Sequence, residues 1–552
     1  MQAPAQQAVT TREGNRRSDT PRGRAVYLKP NVVIEPLYQQ WYAWPHLISP
    51  ATAAMNVLHR HLPIMDSYLK APNVHERFSS TATMMGAPFM AHPAARADEV
   101  RELRDRTRRQ YAHIIEFAEA VEELIKLLRQ HGRGYCLDDI YPRVPPPLRG
   151  FVELFYDLHN RPAFRFFEPL LYRSCYYEVS AQSVALYVVE PDGRPFVLST
   201  PRLADEGVLH LHVPFAHSGL DALFQMRMNA APYERVREML GITDEQEPQF
   251  RALFAEQPPP RRAAWTGSGV QVRYFGHACV LMEYGGVSFL SDPAIASSEG
   301  SGVFRYTLSD LPDHLDCVLI THNHQDHVLF DTLLQLRHRI KQIIVPRNSG
   351  GSLEDPSLKL MLEALGFSNV LQLDELESLK LGDCTVTGVP FLGEHADLNI
   401  RSKLGYHVRL SNGFTVLLVA DSCNVEPTLY RHVHQALGDV EMLFLGMECD
   451  GAPLSWLYGP LLPERLPRDM DHSRRLAGSN HERGMALVNQ FHPREVYVYA
   501  MGQEPWLRHI MALEYTGESR PIVASNALIR DCRSRGIVAE RLFGREVLTR
   551  AS

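Results

Sequence analysis

The stretch "DCVLITHNHQDH", residues 316–327, decides the fold. Its apolar start predicts a buried strand, and His322, His324, Asp326 and His327 follow at once. Imidazole is the commonest metal ligand in proteins. Because alternate side chains share a face in extended backbone, we expect His322 and His324 to close on one metal. Asp326 and His327, in the turn that follows, are then expected to reach a second.

Other candidate ligands follow apolar runs further along the chain. Asp421 ends "TVLLVAD" and is the natural bridge between two metals, since a buried carboxylate is costly unless it is paired with a cation. Glu394 and His395 stand side by side in "GEH". Three later histidines could supply a further imidazole: His472, His481 and His492.

Short strand-like segments surround these residues and alternate with short helical stretches. We predict strands at "VQVRYFG", "GVSFLSDP", "DCVLITH", "QIIVP", "CTVTGVP", "TVLLVAD", "EMLFLGM" and "EVYVYAM". Such a series indicates an α/β domain of two packed mixed sheets with outer helices.

Changes in composition and in apolar periodicity along the chain predict the domain organisation. Residues 1–24 are polar and aperiodic and predict a flexible tail. Residues 25–256 predict a mixed α+β domain for dimerisation and partner docking, with one long helix from about Ala94 to Gly132 and a hairpin around "PDGRP". A proline run marks a linker at 257–264, and the metal domain occupies 265–552. An aromatic series near the start is predicted to pack against a second subunit: Tyr38, Trp41, Tyr42 and Trp44.

Composition excludes several classes of protein. The formal charge of -7 provides no basic surface, so no nucleic-acid partner is expected. No apolar run approaches the roughly 18 residues that span a bilayer, so neither a membrane segment nor a membrane partner is predicted. The eight cysteines lack a paired spacing, as in a reducing compartment, and a cytoplasmic protein is expected.

A family resemblance rests on three segments: "YFGHACVLMEYGGVSFLSDP", "THNHQDH" and "VLLVADS". Together they look like the metallo-β-lactamase fold, and most like its branch with the N-acylphosphatidylethanolamine phospholipase D and ascorbate-6-phosphate lactonase enzymes. The resemblance implies that the four residues of the HxHxDH motif bind two metals and that Asp421 bridges them. His277 and Asp292, in the opening segment, are either orienting residues or turn residues.

The chain departs from the hydrolytic members at two positions. Glu394 precedes His395 where those members usually have a histidine, and Met501 stands about where a closing histidine is usual. Exchanging imidazole for carboxylate favours iron over zinc. In these two departures and in its opening segment, "YLKPNVVIEPLYQQWYAWPHLISP", the chain is similar to the β-hydroxylase of chloramphenicol biosynthesis and its relatives in nonribosomal peptide pathways.

That second resemblance implies a non-heme diiron monooxygenase. It would use O2 to β-hydroxylate an aminoacyl group held as a thioester on a peptidyl carrier domain of a nonribosomal peptide synthetase, with an unidentified electron donor. The homodimer is predicted separately, from the aromatic series. Carried over, Glu394 binds iron one, with His395 as the alternative. His481 binds iron two, with His472 and His492 as alternatives, and Glu394 and Asp421 are the catalytic carboxylates. The competing interpretation is a dinuclear zinc hydrolase of a phosphodiester, lactone or thioester.

Overall fold

The structure is a computed structural model that describes residues 25–81, 84–189, 192, 194–262, 265–297 and 302–550. The predicted flexible tail, residues 1–24, lies outside the described residues, as does the end of the predicted linker, residues 263 and 264. Within the described ranges, no helix combines the length and apolar character that a membrane crossing requires.

The N-terminal region mixes short strands with helices. Its described strands are Ala25–Leu28 (β1), Val32–Tyr38 (β2), Trp41–Tyr42 (β3), Val152–Tyr156 (β4), Pro162–Phe166 (β5), Gln182–Val188 (β6), Leu209–Leu211 (β7), Ala231–Pro232 (β8) and Phe254–Ala255 (β9). Its described α-helices are Pro45–Ile48 (α1), Pro50–Asn56 (α2), Leu62–Lys70 (α3), Pro72–Ser79 (α4), Ala97–Gln110 (α5), Ala112–His131 (α6), Glu168–Leu171 (α7), Ser218–Gln225 (α8), Tyr233–Met239 (α9) and Glu247–Arg251 (α10). The strands form small sheets in the orders β3-β2-β6-β7, β8-β1-β9 and β4-β5.

Two predictions for this region are wrong in detail. The single long helix is two helices, because the chain leaves α-helical geometry at Tyr111, between α5 and α6. The predicted hairpin around "PDGRP" is absent from the described part of the chain: β6 pairs antiparallel with β2 and β7, so its partners come from distant sequence. Alternation within one segment predicted a strand correctly but could not identify the strand it pairs with.

The aromatic series near the start lies inside the chain. Tyr38, Trp41, Tyr42 and Trp44 are at most 4% exposed. Trp41 stacks on His61 with ring centres 4.0 Å apart. These side chains are therefore core residues and do not form the predicted subunit contact, while the homodimer itself stays a prediction.

The C-terminal region alternates strands and helices as the sequence predicted. Its described strands are Val270–Gly276 (β10), Cys279–Tyr284 (β11), Val287–Ser291 (β12), Cys317–Leu319 (β13), Ile343–Pro346 (β14), Val370–Leu373 (β15), Ser378–Leu381 (β16), Cys384–Pro390 (β17), Leu404–Arg409 (β18), Thr415–Leu418 (β19), Met442–Gly446 (β20), Glu495–Tyr499 (β21), Val538–Arg541 (β22) and Glu546–Arg550 (β23). Its described α-helices are Phe330–Leu336 (α11), Leu358–Ala364 (α12), Pro427–Leu437 (α13), Leu454–Tyr458 (α14), Arg468–Ser473 (α15), His481–Phe491 (α16), Arg508–Met511 (α17) and Arg520–Ser534 (α18).

These strands form two sheets, in the orders β15-β14-β13-β12-β11-β10-β23 and β16-β17-β18-β19-β20-β21-β22. Apolar side chains such as Val272, Tyr406 and Phe444 fill the space between the sheets. Helices α13, α16 and α18 cover the outer face of the second sheet. One continuous core joins the outer face of the first sheet to α11, α12 and the N-terminal region. The predicted fold is confirmed: an αββα sandwich preceded by a mixed α+β region.

Candidate metal centre

The HxHxDH motif lies in the loop between β13 and α11. His322 and His327 are fully buried, and His324 and Asp326 are 6% and 8% exposed. Glu394 follows β17 and Asp421 follows β19, and both are also buried. Six polar side chains from three strand ends thus meet at one edge of the sandwich. The structure brings together every predicted ligand except His481.

Glu394 joins the first two histidines into one cluster. Its Oε1 lies 2.9 Å from His324 Nδ1, and its Oε2 lies 3.9 Å from His322 Nε2. His395 belongs to the same group of possible ligands, with Nδ1 2.9 Å from Glu394 Oε2. Because the Glu394 carboxylate approaches nitrogens of both His322 and His324, the geometry favours Glu394 as the metal ligand, with His395 beside it as the alternative.

Asp421 links this cluster to the second one. Its Oδ2 lies 2.9 Å from His327 Nε2 and 3.8 Å from His322 Nε2. Asp326 Oδ2 lies 3.5 Å from His327 Nε2. One carboxylate oxygen therefore approaches a nitrogen of each cluster, which is the geometry that a bridge between two ions requires.

Three atoms of the centre could bind a cation and have no hydrogen-bond partner in the described protein. His322 Nε2, Glu394 Oε2 and Asp421 Oδ1 are buried without a hydrogen-bond partner among the described residues. Leaving such atoms unpaired costs about 1–3 kcal/mol each. Ligand atoms about 2.1 Å from a shared ion lie about 3.0–3.4 Å apart, close to the spacings found here. The six side chains supply three imidazoles and three carboxylates. This set suits iron better than zinc, because zinc sites of this fold are richer in imidazole.

Asp292 and Thr321 orient two of the imidazoles. His327 Nδ1 donates to Asp292 Oδ2 at 2.9 Å, and the Thr321 hydroxyl donates to the same oxygen at 2.6 Å. Thr321 Oγ1 in turn lies 3.0 Å from His322 Nδ1 and accepts its proton. Both rings consequently present Nε2 without a proton, as metal binding requires. For Asp292, which the sequence left between orienting and turn roles, the geometry favours the orienting role.

The contacts of His277 indicate that it positions Asp326. Its Nε2 lies 3.0 Å from Asp326 Oδ2, so by distance alone it could share a metal with Asp326 and His327. However, the backbone N–H of Gly502 donates to His277 Nδ1 at 3.2 Å. Because Nδ1 is an acceptor, the proton of the neutral ring lies on Nε2 and is donated to Asp326. His277 therefore orients the carboxylate, beside the position where Met501 replaces the usual closing histidine.

The backbone around the centre is strained. Non-glycine residues with positive φ flank it at strand ends: His277 (52°), Asp292 (32°), Glu394 (64°), Ala420 (47°) and Ala500 (53°). Each such residue costs about 1–3 kcal/mol, and such strain concentrates at functional sites, where the surrounding structure maintains it. The turns here are shaped to aim side chains at the centre.

Burial and neighbouring charges shift the pKa values of the acidic side chains at the centre in different directions. Burial raises the pKa of Glu394, but the imidazoles of His324 and His395 together bring that pKa below its usual value. Burial raises the pKa of Asp421 above its usual value, although His327 opposes the change. Glu448, after β20, has its pKa raised to about 8 by burial and, more weakly, by the charge of Asp421. Tyr515 donates a hydrogen bond to Glu448 at 3.2 Å.

The structure does not bring His481 or its two alternatives into the centre. His481 is the first residue of α16, where its Nε2 lies 2.8 Å from Asp531 and its side chain is 39% exposed. His492 pairs with Asp439 on the surface, and His472 is exposed on α15. The predicted ligand role of His481 is corrected accordingly: the start of α16 lies beside the strand end that carries Asp421, where Ser479 Oγ donates to the carbonyl oxygen of Ser422 at 3.0 Å, but the His481 side chain turns to Asp531 on α18.

Sequence reasoning missed one residue at the centre. The Tyr458 hydroxyl, on α14, lies 2.9 Å from His324 Nε2, and the tyrosine is buried. Because Tyr458 contacts Nε2 of the ring, Nδ1 is the nitrogen of His324 that faces Glu394. No short pattern marks Tyr458, because its position depends on how the segment after β20 folds back over the site.

The fold and site define a metallo-β-lactamase-type protein with a dinuclear metal centre rich in carboxylate. The family model "Diiron non-heme beta-hydroxylase N-terminal domain" matches residues 27–258, and "Beta-lactamase superfamily domain" matches residues 291–452. The chain is 40% identical over 529 residues to the 4-amino-L-phenylalanyl-[CmlP-peptidyl-carrier-protein] 3-hydroxylase of Streptomyces venezuelae, covering 94% of this chain and 99% of that protein.

The crystal structure of CmlA, a diiron beta-hydroxylase from the same organism, matches with a TM-score of 0.89 and 39% identity over 95% of this chain and 99% of that one. A metal-dependent hydrolase of Saccharolobus solfataricus is 31% identical over 113 residues, which is 17% of this chain and 48% of that protein. The chain belongs to the diiron non-heme β-hydroxylase family. It is an enzyme of that class, which confirms the second resemblance over the hydrolase alternative.

Proposed function

We propose that this enzyme hydroxylates the β-carbon of an aminoacyl group tethered as a thioester to a peptidyl carrier domain of a nonribosomal peptide synthetase. The observation that carries the proposal is Glu394, a buried carboxylate between His322 and His324 in a chain similar over nearly its full length to a carrier-dependent 3-hydroxylase. The reaction takes one O2, two electrons from an external donor and two protons. One oxygen atom becomes the β-hydroxyl group and the other leaves as water.

The proposed ligands divide into two groups around a bridge. His322 Nε2, His324 Nδ1 and Glu394 would hold iron one, and Asp326 and His327 Nε2 would hold iron two. Asp421 would bridge them, and Glu394 and Asp421 would be the catalytic carboxylates in contact with the reacting metals. When bound, the two irons supply the O2-activating redox chemistry, which no side chain here could perform.

The protein's own contribution is to orient these ligands and keep the site dry. Asp292 and Thr321 fix the tautomers of His327 and His322, and His277 fixes Asp326. The ligand atoms are buried, which limits access of water and of untethered molecules to the centre. Tethering of the substrate then restricts turnover to a loaded carrier domain.

A labelling experiment tests the proposal. Protein loaded with iron is reduced and given 4-amino-L-phenylalanyl carrier thioester, the substrate class of the Streptomyces relative, under isotopically labelled O2. We expect about two irons per chain and one labelled oxygen atom on the aminoacyl group, by intact-protein mass spectrometry. Glu394→Gln should abolish labelling, while Glu482→Gln, at an exposed glutamate of α16, should not change it.

Two results would contradict the proposal. One is release of the aminoacyl group without O2 or reductant, which would indicate a hydrolase acting on the thioester. The other is equal labelling by the Glu394→Gln and Glu482→Gln variants, which would remove Glu394 from the reaction.

A further inference from the structure

A deep cleft lies between the N-terminal region and the segment that follows β20. Its volume is about 610 Å³. One wall comes from the helical stretch around Arg60 and from Phe196, and the other comes from Trp456, Pro460 and Leu466. The metal ligands do not line it, so the cleft is distinct from the centre itself.

Arg60 is a buried cation without an acidic partner among the described residues. It is 9% exposed, and burial lowers its pKa to about 10, with no carboxylate to oppose the change. Its NH2 group donates to the carbonyl oxygens of Trp456 at 2.8 Å and Leu457 at 3.1 Å. Its NH1 group has no partner in the described protein. Because buried charges are normally paired, an unpaired guanidinium in a cleft wall indicates an anionic ligand.

The local backbone supports a binding role for this wall. Arg60 lies on a π-helical turn, Val57–His61, between α2 and α3. Such turns are rare and occur frequently at functional sites. At the other side of the cleft, Arg465 is exposed and forms no ion pair within the described part of the chain. Two cations without an acidic partner in the described protein therefore line one cavity. Asp471 also lines it, but its carboxylate already accepts from the N–H and the hydroxyl of Ser455, and most of the remaining surface is apolar.

The cleft wall is directly connected to the metal centre. Trp456 and Gly459 line the cleft, and Tyr458 between them reaches His324 with its hydroxyl group. Arg60 thus contacts the same short helix that contacts a predicted iron ligand.

We infer that this cleft binds the phosphopantetheine arm of the carrier domain, with Arg60 and Arg465 as contacts for its phosphate. The arm combines one phosphate with a long chain that carries methyl and methylene groups, which matches two cations in an apolar cleft. Arginine suits this role because its guanidinium recognises phosphate through paired N–H groups. The inference rests on the proposed function, since it assumes a carrier-bound substrate.

Two small probes test the cleft without a carrier domain. Iron-loaded enzyme is titrated calorimetrically with S-acetyl-4′-phosphopantetheine and with S-acetylpantetheine, which differ only in the phosphate. We expect the phosphorylated probe to bind at least about tenfold more tightly, a difference of about 1.4 kcal/mol. Arg465→Gln and Arg60→Gln should each reduce that ratio, while Arg235→Gln, at an exposed arginine of α9 outside the cleft, should leave it unchanged.

The outcomes separate the inference from the proposed function. Equal affinity for both probes, an unchanged ratio in Arg465→Gln, or equally tight binding of adenosine monophosphate would overturn the arm site even if loaded carrier were hydroxylated. The opposite outcome is a phosphate preference that depends on Arg465 in an enzyme that hydroxylates no aminoacyl thioester. That result would support the arm site and contradict the proposed function. Arg465 is exposed, so its variant tests the cleft even if Arg60→Gln fails to fold.

Discussion

The two halves of the metal centre differ in how firmly the protein holds them. In the half with Asp326 and His327, Asp292 fixes the distal nitrogen of the histidine and His277 fixes the carboxylate. In the half with Glu394, one carboxylate oxygen has no hydrogen-bond partner in the described protein, and neither has Nε2 of the adjacent His395. The half with Asp326 and His327, called the rigid half below, is therefore preorganised by its neighbours. In the other half Thr321 and Tyr458 contact the two histidines, and the spare capacity lies at Glu394 and His395.

This difference assigns the halves different tasks. A rigid half keeps its ion through repeated changes of charge, because its ligands have no alternative partners. The half with spare capacity can accept an added ligand or change its coordination. It is also the half that Tyr458 connects to the cleft, so we expect substrate to approach the centre from the side of Glu394.

Removing a ligand from the rigid half should have the largest effect. We expect Asp326→Asn to lower the iron content from about two to about one per chain and to reduce hydroxylation at least about 100-fold. Elemental analysis and carrier-labelling assays measure both. Asp531→Asn, at the surface partner of His481, is the control. Two irons in Asp326→Asn would show that the halves are not separate in the way described.

Asp292→Asn should weaken the rigid half without removing a ligand. The two carboxylate oxygens accept from the backbone N–H and hydroxyl of Thr321 and from His327, and an amide cannot accept all three. Loss of such a supporting group typically costs about 10–100-fold in metal affinity. Chelator titration should show one iron lost early and the other retained. Simultaneous loss of both irons would contradict this prediction, since it would show that Asp292 supports His322 through Thr321 as strongly as it supports His327.

Local sequence pattern encodes most of the centre. The HxHxDH spacing and the strand-end positions of Glu394 and Asp421 are enough to predict six candidate ligands that the structure brings together, and all eight predicted strands are present. The sandwich follows because each strand carries its own apolar signal. Pairing partners in the N-terminal region were not predictable in this way, since β6 pairs with strands from distant sequence.

The errors share one physical cause. A histidine at a helix start lies beside the metals in related folds, which favours His481, yet its side chain turns to Asp531 on α18 although the helix starts near Asp421. Tyr458 had no signal at all, because only the path of the chain after β20 brings it to His324. Ligands on strand ends can be predicted from sequence, whereas contacts supplied by loops that cross the site depend on packing.

A pair of variants at His277 would show whether it supports the rigid half or belongs to its ligand set. We expect His277→Ala to retain two irons but to release one about tenfold faster to a chelator, because Asp326 loses a donor. His277→Gln restores an N–H near the same place and should recover part of that loss. Loss of a full iron equivalent in His277→Ala, without recovery in His277→Gln, would make His277 a ligand and overturn the tautomer argument.

The smallest effect is expected at Tyr458, on the half with spare capacity. Tyr458→Phe removes one hydrogen bond to His324, worth about 1 kcal/mol, so iron-one affinity should fall only about fivefold. Because the rigid half does not contact Tyr458, iron two should be unaffected, and substrate-induced changes in the iron absorption spectrum should weaken more than iron binding does. Tyr68→Phe, which removes a tyrosine hydrogen bond to Pro93 in the N-terminal region, provides the matched control for general destabilisation. If both variants changed iron binding equally, Tyr458 would have no specific link to the centre, and the connection between cleft and centre would lose its support.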